Sequence, residues 1–133
     1  MSNYFAYKDD LGADQFLYAD LNSTFRNCIV YGSLEKELDL DKIEGSAFNF
    51  LFDHCLLKVN SEINTDTSAF VNIIKVQEPE NPTIFVDPNE KDDYHLAEGS
   101  PCIDAGVPNG ILIDLDGKPR DIIPDIGCYE YTP

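Results

Sequence analysis

Basic residues are scarce in this chain: nine Lys and Arg stand against 25 Asp and Glu, for a formal net charge of -16 over 133 residues. Phosphate recognition relies on clustered Lys and Arg, so nucleic acid is not an expected partner. Anionic membrane surfaces repel such a chain for the same reason. There is no run of about 18 apolar residues, so no transmembrane segment is expected. The start, "MSNYFAYKDDLGADQF", has neither a basic n-region nor an apolar h-region and does not read as a signal peptide. It reads as a start placed inside a longer protein, and the expectation is a C-terminal piece whose signal or anchor lies upstream. Cys-x-x-Cys and mixed Cys/His zinc spacings are also missing, although four cysteines are present. Thiols or disulfides, rather than a zinc centre, are therefore their expected chemistry.

What is present argues for a folded domain. Hydrophobic residues make up 43% of the chain, with seven Tyr and eight Phe, whereas disordered chains pair high charge with few aromatics. The length suits one domain. Its acidity then belongs to a folded surface, where it serves solubility or attracts cations, calcium first among them.

An internal repeat organises the first half. "FRNCIVY" (residues 25–31) and "FDHCLLK" (residues 52–58) share Phe, two polar residues, Cys and two aliphatics, which places Cys28 and Cys55 27 residues apart. A period of this size marks a repeat architecture, and the unit composition favours strands. "QFLYADL" precedes the first copy and "AFNFLF" the second, so each unit holds more than one strand. Alternation puts Cys55, Leu57 and Val59 inward, with Lys58 and Leu56 on the water side. Cys28 and Val30 take the matching inward positions. Phe25 and Phe52 can point inward as well only if the chain bends at Asn27 and His54.

Strand, corner, strand and excursion describe the coil of a right-handed parallel β-helix with few coils. The competing architecture is an antiparallel β-sandwich. The expected organisation is β-helix coils over residues 1–76, then a last coil and C-terminal cap over 77–133, in one continuous domain. Within it, "ELDLD" (residues 37–41) reads as a strand or a helical turn, and "AFVNIIKV" (residues 69–76) as one strand.

The motifs "NPTIFVDPNEKDDYHLAEGSPCIDAG", "DLDGKPRD" and "PDIGCYEY" follow in that order. In these motifs the C-terminal third resembles secreted parallel β-helix proteins with a choice-of-anchor type domain, of the kind found in Bacteroidetes-like bacteria. The resemblance implies a secreted or cell-envelope location and an association with carbohydrate. It implies little about chemistry, because few such proteins are assigned a reaction.

The closing motif also has a direct physical reading. Ser100 and Pro101 turn the chain, since Pro removes a ladder donor. Gly106 and Gly127 stand where a positive φ or a close backbone approach is expected. Arg120 suits a carboxylate network with Asp104, Asp121 and Asp125. Cys102 and Cys128 lie in the two motif halves and are expected to be spatial neighbours, either as thiols or as a disulfide. Such a bridge would stabilise by about 3 kcal/mol on the chain-entropy model. Asp114 and Asp116 in "DLDG" resemble half a calcium loop but lack the remaining ligands; a tight turn is the alternative. His54 and His95, the only histidines, read as corner or surface residues. Tyr4, Tyr7, Tyr18 and Tyr31 are candidates for a sugar platform.

No catalytic residue is singled out and no cofactor other than calcium is indicated. The expected function is a non-catalytic β-helix and capping segment, with polysaccharide and the upstream coils of its own chain as partners. The alternative is a fragment of a polysaccharide lyase or glycoside hydrolase whose active cleft lies on the coils.

Overall fold

The computed structural model describes residues 1–133, which contain ten strands and no helix. The strands are β1 (Tyr4–Lys8), β2 (Asp14–Tyr18), β3 (Leu21–Arg26), β4 (Ile29–Val30), β5 (Phe48–Asp53), β6 (Leu56–Lys58), β7 (Phe70–Val71), β8 (Ile74–Val76), β9 (Phe85–Asp87) and β10 (Asp93–Leu96). They make four small, separate sheets. Two are antiparallel pairs, β1 with β2 and β9 with β10, and two are parallel triplets, β3-β5-β7 and β4-β6-β8.

This arrangement corrects the expected right-handed parallel β-helix. The all-β class holds, but no solenoid forms. A solenoid requires at least about three stacked copies of its unit, and the 27-residue spacing occurs only once. The next corner, at Asn72, follows His54 by only 18 residues and is flanked by strands of two and three residues. The chain then leaves the parallel path through the β9–β10 pair. Beyond Leu96 no strand remains, only an isolated bridge between Ile113 and Pro119.

The repeat nevertheless governs local pairing. β3 and β5 run parallel in register from Leu21 opposite Phe48 to Arg26 opposite Asp53. β4 and β6 follow, with Ile29 opposite Leu56 and Val30 opposite Leu57. The corners at Asn27 and His54 have φ of 52° and 50°, the left-handed region in which Asn and His are enriched among non-glycine residues. Asn72 takes the same conformation (φ 50°), and this splits the expected single strand over residues 69–76 into β7 and β8. Each corner lets the preceding Phe turn inward. Phe25 stacks on Phe52 at 4.6 Å between centroids, and Phe52 on Phe70 at 5.6 Å.

Both faces of β6 are buried. Cys55, Leu57 and Val59 join Phe52, Phe70 and Leu38 in one core, while Leu56 joins Val76, Ile84, Leu96, Cys102 and Ile126 in a second. The expectation that Lys58 and Leu56 face water is therefore overturned: Leu56 is fully buried and Lys58 only 4% exposed. Strand alternation separated the two faces correctly, but the C-terminal segment covers the second face, which alternation cannot reveal. The segment over residues 37–41 forms neither a strand nor a helical turn, although Leu38 is buried.

Candidate functional site

The C-terminal segment is held by a buried polar network. Arg120 Nη1 donates to Glu130 Oε2 at 3.0 Å and to the Asp125 carbonyl at 3.2 Å, and Nη2 donates to the Gly127 carbonyl at 2.7 Å. Glu130, rather than Asp104, Asp121 or Asp125, supplies the carboxylate partner of Arg120. Asp104 and Asp121 enter the network through their backbone: the Asp104 amide donates to Asp125 Oδ1 at 2.7 Å and the Asp121 amide to Glu130 Oε1 at 3.0 Å. Burial pushes the Asp125 carboxyl up, against the opposing effect of the Tyr131 and Asp104 amides. A Cβ at Gly106 would lie 2.6 Å from the Pro124 carbonyl oxygen, while Gly127 has φ of 117°. Close approach thus explains the first glycine and backbone conformation the second.

Asp114 and Asp116 behave as turn residues. Asp114 Oδ1 accepts from the Lys118 amide at 2.8 Å and Oδ2 from the Glu130 amide at 2.9 Å. Burial raises the Asp114 carboxyl, but these amides and that of Asp116 outweigh it and leave the group below its usual range. Asp116 turns toward His95 and Lys118. No group of three or more His, Cys, Asp or Glu residues suited to holding a metal is brought together.

A concavity lies where the β9–β10 pair meets β4, β6 and the C-terminal segment. Phe85 on β9 and Tyr94 on β10 pack edge to face, 5.3 Å between centroids with planes at 80°. Leu96 pairs with Phe85 and Asp93 with Asp87, so three steps of β10 oppose two of β9. This irregularity has the character of a β-bulge, which re-aims side chains. It accounts for Tyr94 being 46% exposed while Leu96, on the same parity, is buried.

Phe85 and Tyr94 form a wall shared by two cavities. The first, about 420 Å³, is mainly apolar and is lined also by Cys28, Ile29, Cys128 and Tyr129. The second, about 490 Å³, is polar, with Tyr31, Lys58, Glu78, Asn81 and Asn89 around it. Lys58 Nζ donates to the Gly32 carbonyl at 3.0 Å, pairs with Glu78 Oε1 at 3.2 Å and lies 5.4 Å above the centre of the Tyr31 ring. The Tyr31 hydroxyl donates to Asn81 Oδ1. Glu78 is the only acidic residue lining either cavity, and Lys58 neutralises it. The polar chamber is thus locally neutral in a strongly acidic molecule.

His95 borders this groove. Its ring stacks on Tyr129 at 4.0 Å, with Nδ1 at 2.7 Å from Asp93 Oδ1 and Nε2 at 3.0 Å from Asp116 Oδ2. Asp116 first, then Asp93, raises the imidazole above its ordinary value, and the histidine in turn lowers both carboxyls. Both ring nitrogens are occupied, which suits a charged clamp rather than proton transfer. His54 is similarly engaged, with Nδ1 2.7 Å from Asp53 Oδ1 and Nε2 3.1 Å from Asn72 Nδ2. Strand alternation predicts that neighbours such as Asp53 and His54 diverge; the left-handed corner brings them together.

All four cysteines are free thiols. The two motif halves do pack, with the Ile126 amide donating to the Cys102 carbonyl at 2.9 Å and the Gly106 amide to that of Pro124 at 2.8 Å. Cys102 is nevertheless sealed in the second core, whereas Cys128 is exposed at the groove. Among the expected sugar-platform residues, only Tyr31 lines the groove. Tyr4, Tyr7 and Tyr18 lie on the β1–β2 hairpin. Phe85, Tyr94, Tyr129 and Glu130 were not singled out by the sequence, where only the cluster of aromatics in "IFVD", "DYHL" and "CYEY" marked them. Comparison with protein-family profiles, with curated proteins and with solved structures finds no match.

Proposed function

We propose that this chain is a non-catalytic carbohydrate-binding segment and that the paired cavities around Phe85 and Tyr94 hold a neutral glycan. The observation that carries the reading is the aromatic wall shared by an apolar and a polar chamber. Sugars present C–H faces and hydroxyl edges at once. An exposed aromatic ring offers an apolar face to the former, and the Asn81 and Asn89 amides together with the Lys58–Glu78 pair offer donors and acceptors to the latter. Each cavity falls within the roughly 300–1,000 Å³ of small-ligand sites. Local neutrality favours uncharged sugars, because a polyanion would meet the repulsion of the surrounding acidic surface. Placement in a secreted or envelope protein belongs to the same proposal and rests on the C-terminal motifs.

Affinity electrophoresis through gels containing neutral polysaccharides tests this function. The chain should be retarded by at least one of them. Tyr94→Ala should lose at least tenfold in affinity with an unchanged melting temperature, and Tyr7→Ala on the distant hairpin should bind normally. Retardation by none of a broad panel, or equal retardation of Tyr94→Ala, overturns the proposal. Release of reducing or unsaturated sugar ends by the chain itself overturns its non-catalytic part.

A further inference from the structure

Two of the four thiols occupy matching positions just before paired strands. The parallel register that sets Ile29 opposite Leu56 places Cys28 opposite Cys55, and the Leu56 amide donates to the Cys28 carbonyl at 3.0 Å. Adjacent strands lie about 4.8 Å apart, inside the roughly 4.4–6.8 Å between Cα atoms that a disulfide spans. Cys28 packs against the core cluster that holds Cys55, and the Cys55 thiol donates to the Phe25 and Asp53 carbonyls. Cys55 is fully buried, whereas Cys28 is half-buried and lines the 420 Å³ apolar cavity. One sulfur therefore has an entry path, and the other sits behind it.

We propose that Cys28 and Cys55 form a two-thiol oxidation site, in which hydrogen peroxide entering the apolar cavity oxidises Cys28 and Cys55 then closes a disulfide. In the first step the Cys28 thiolate attacks one peroxide oxygen. The O–O bond breaks, hydroxide leaves and takes up a proton as water, and Cys28 becomes a sulfenic acid. In the second step the Cys55 sulfur attacks the Cys28 sulfur, the S–O bond breaks, and the hydroxyl departs as water with the Cys55 proton. Two thiols are oxidised by two electrons and one peroxide is reduced to two waters.

The electrostatics of the pair agree with this order. The adjoining Cys55 thiol holds the Cys28 thiol below its usual range, against the opposing effect of burial. The same interaction raises Cys55, which keeps its proton for the second step. The thiolate is the reactive form of cysteine. Cys102 has no comparable activation, because burial pushes it up to about 12. The entry path is one of the two cavities assigned to the glycan, so the test is made on the chain without sugar.

The test is residue-resolved thiol mapping of the reduced full chain after exposure to hydrogen peroxide. Free thiols are blocked, the protein is unfolded and digested, and the peptides are weighed without reductant. Cys28 and Cys55 should disappear together into one linked peptide while Cys102 stays reduced. Cys55→Ser should leave a sulfenic acid on Cys28 that dimedone traps, and Cys28→Ser should slow oxidation of Cys55 at least tenfold. The rate of Cys28 alkylation should reach half its maximum at a lower pH than the about 8.5 of an ordinary cysteine. A Cys28 bridge to Cys128, a Cys28 that stays reduced, or a rate that rises only above about pH 8 overturns the proposal. The mapping of the unsubstituted chain decides the matter even if either variant fails to fold.

Discussion

Glu130 is the residue whose loss should most damage the C-terminal segment. The Arg120 and Glu130 side chains are 10% and 8% exposed, and the Glu130 carboxylate accepts from Arg120 and from the amides of Asp121 and Asp125. Truncation to Ala strands a buried guanidinium, which costs about 3–5 kcal/mol when one partner of a buried pair is removed. Arg120 keeps the carbonyls of Asp125 and Gly127, which argues for the lower end of that range. The orphaned Asp125 amide adds about 1 kcal/mol, whereas Asp121 is exposed and its amide can turn to water. The expected loss for Glu130→Ala is about 4 kcal/mol, which at about 4 °C per kcal/mol for a chain of this size lowers the melting temperature by about 16 °C. Glu130→Gln retains one carbonyl acceptor and should lose about half as much. Glu44→Ala, which removes a fully solvated carboxylate from the same acidic surface, should stay within about 0.5 kcal/mol of the parent. Urea unfolding followed by tyrosine fluorescence measures all three. A loss below about 1 kcal/mol for Glu130→Ala would show that the pair behaves like a surface ion pair and would refute the reasoning.

Two further outcomes follow from the geometry. Gly106→Ala drives a Cβ to 2.6 Å from the Pro124 carbonyl oxygen and should cost about 1–3 kcal/mol by overpacking. Gly99→Ala, with φ of 76° but no neighbour within 4 Å, should cost only the conformational strain of about 1 kcal/mol; equal effects would discard the close-approach argument. His95 is raised in the folded state by Asp116 and Asp93, so its stabilising charge is fully present below the unfolded value of about 6.5 and is lost as pH rises through the higher folded value. NMR titration of the His95 ring should therefore give a midpoint above that of the unfolded chain, and His95→Gln should flatten the decline of melting temperature with pH over that window.

Local pairing was legible in the chain itself. The matching heptads around Cys28 and Cys55 specify which strands lie side by side and in what register, because a repeated pattern of Phe, corner and alternating aliphatics can bury its apolar positions in only one alignment. Asn27 and His54 were readable as corners because period-two alternation cannot otherwise turn both Phe and Cys inward. Arg120 was readable as the centre of a polar network, but its carboxylate partner, Glu130, was not. The architecture above that level was decided by tertiary structure. One 27-residue spacing cannot say how many units stack, and a short third unit followed by an antiparallel turn left small separate sheets rather than a β-helix. The same holds for Leu56, whose burial depends on a segment arriving from far along the chain, and for Lys58, which is held by Gly32, Tyr31 and Glu78. The groove was equally hidden, since Phe85, Tyr94 and Tyr129 converge with Tyr31 and Lys58 only through the β9–β10 irregularity and the return of the C-terminus. Sequence patterns report which side of a strand is apolar; which element lands on that side depends on long-range packing, and no local period encodes it.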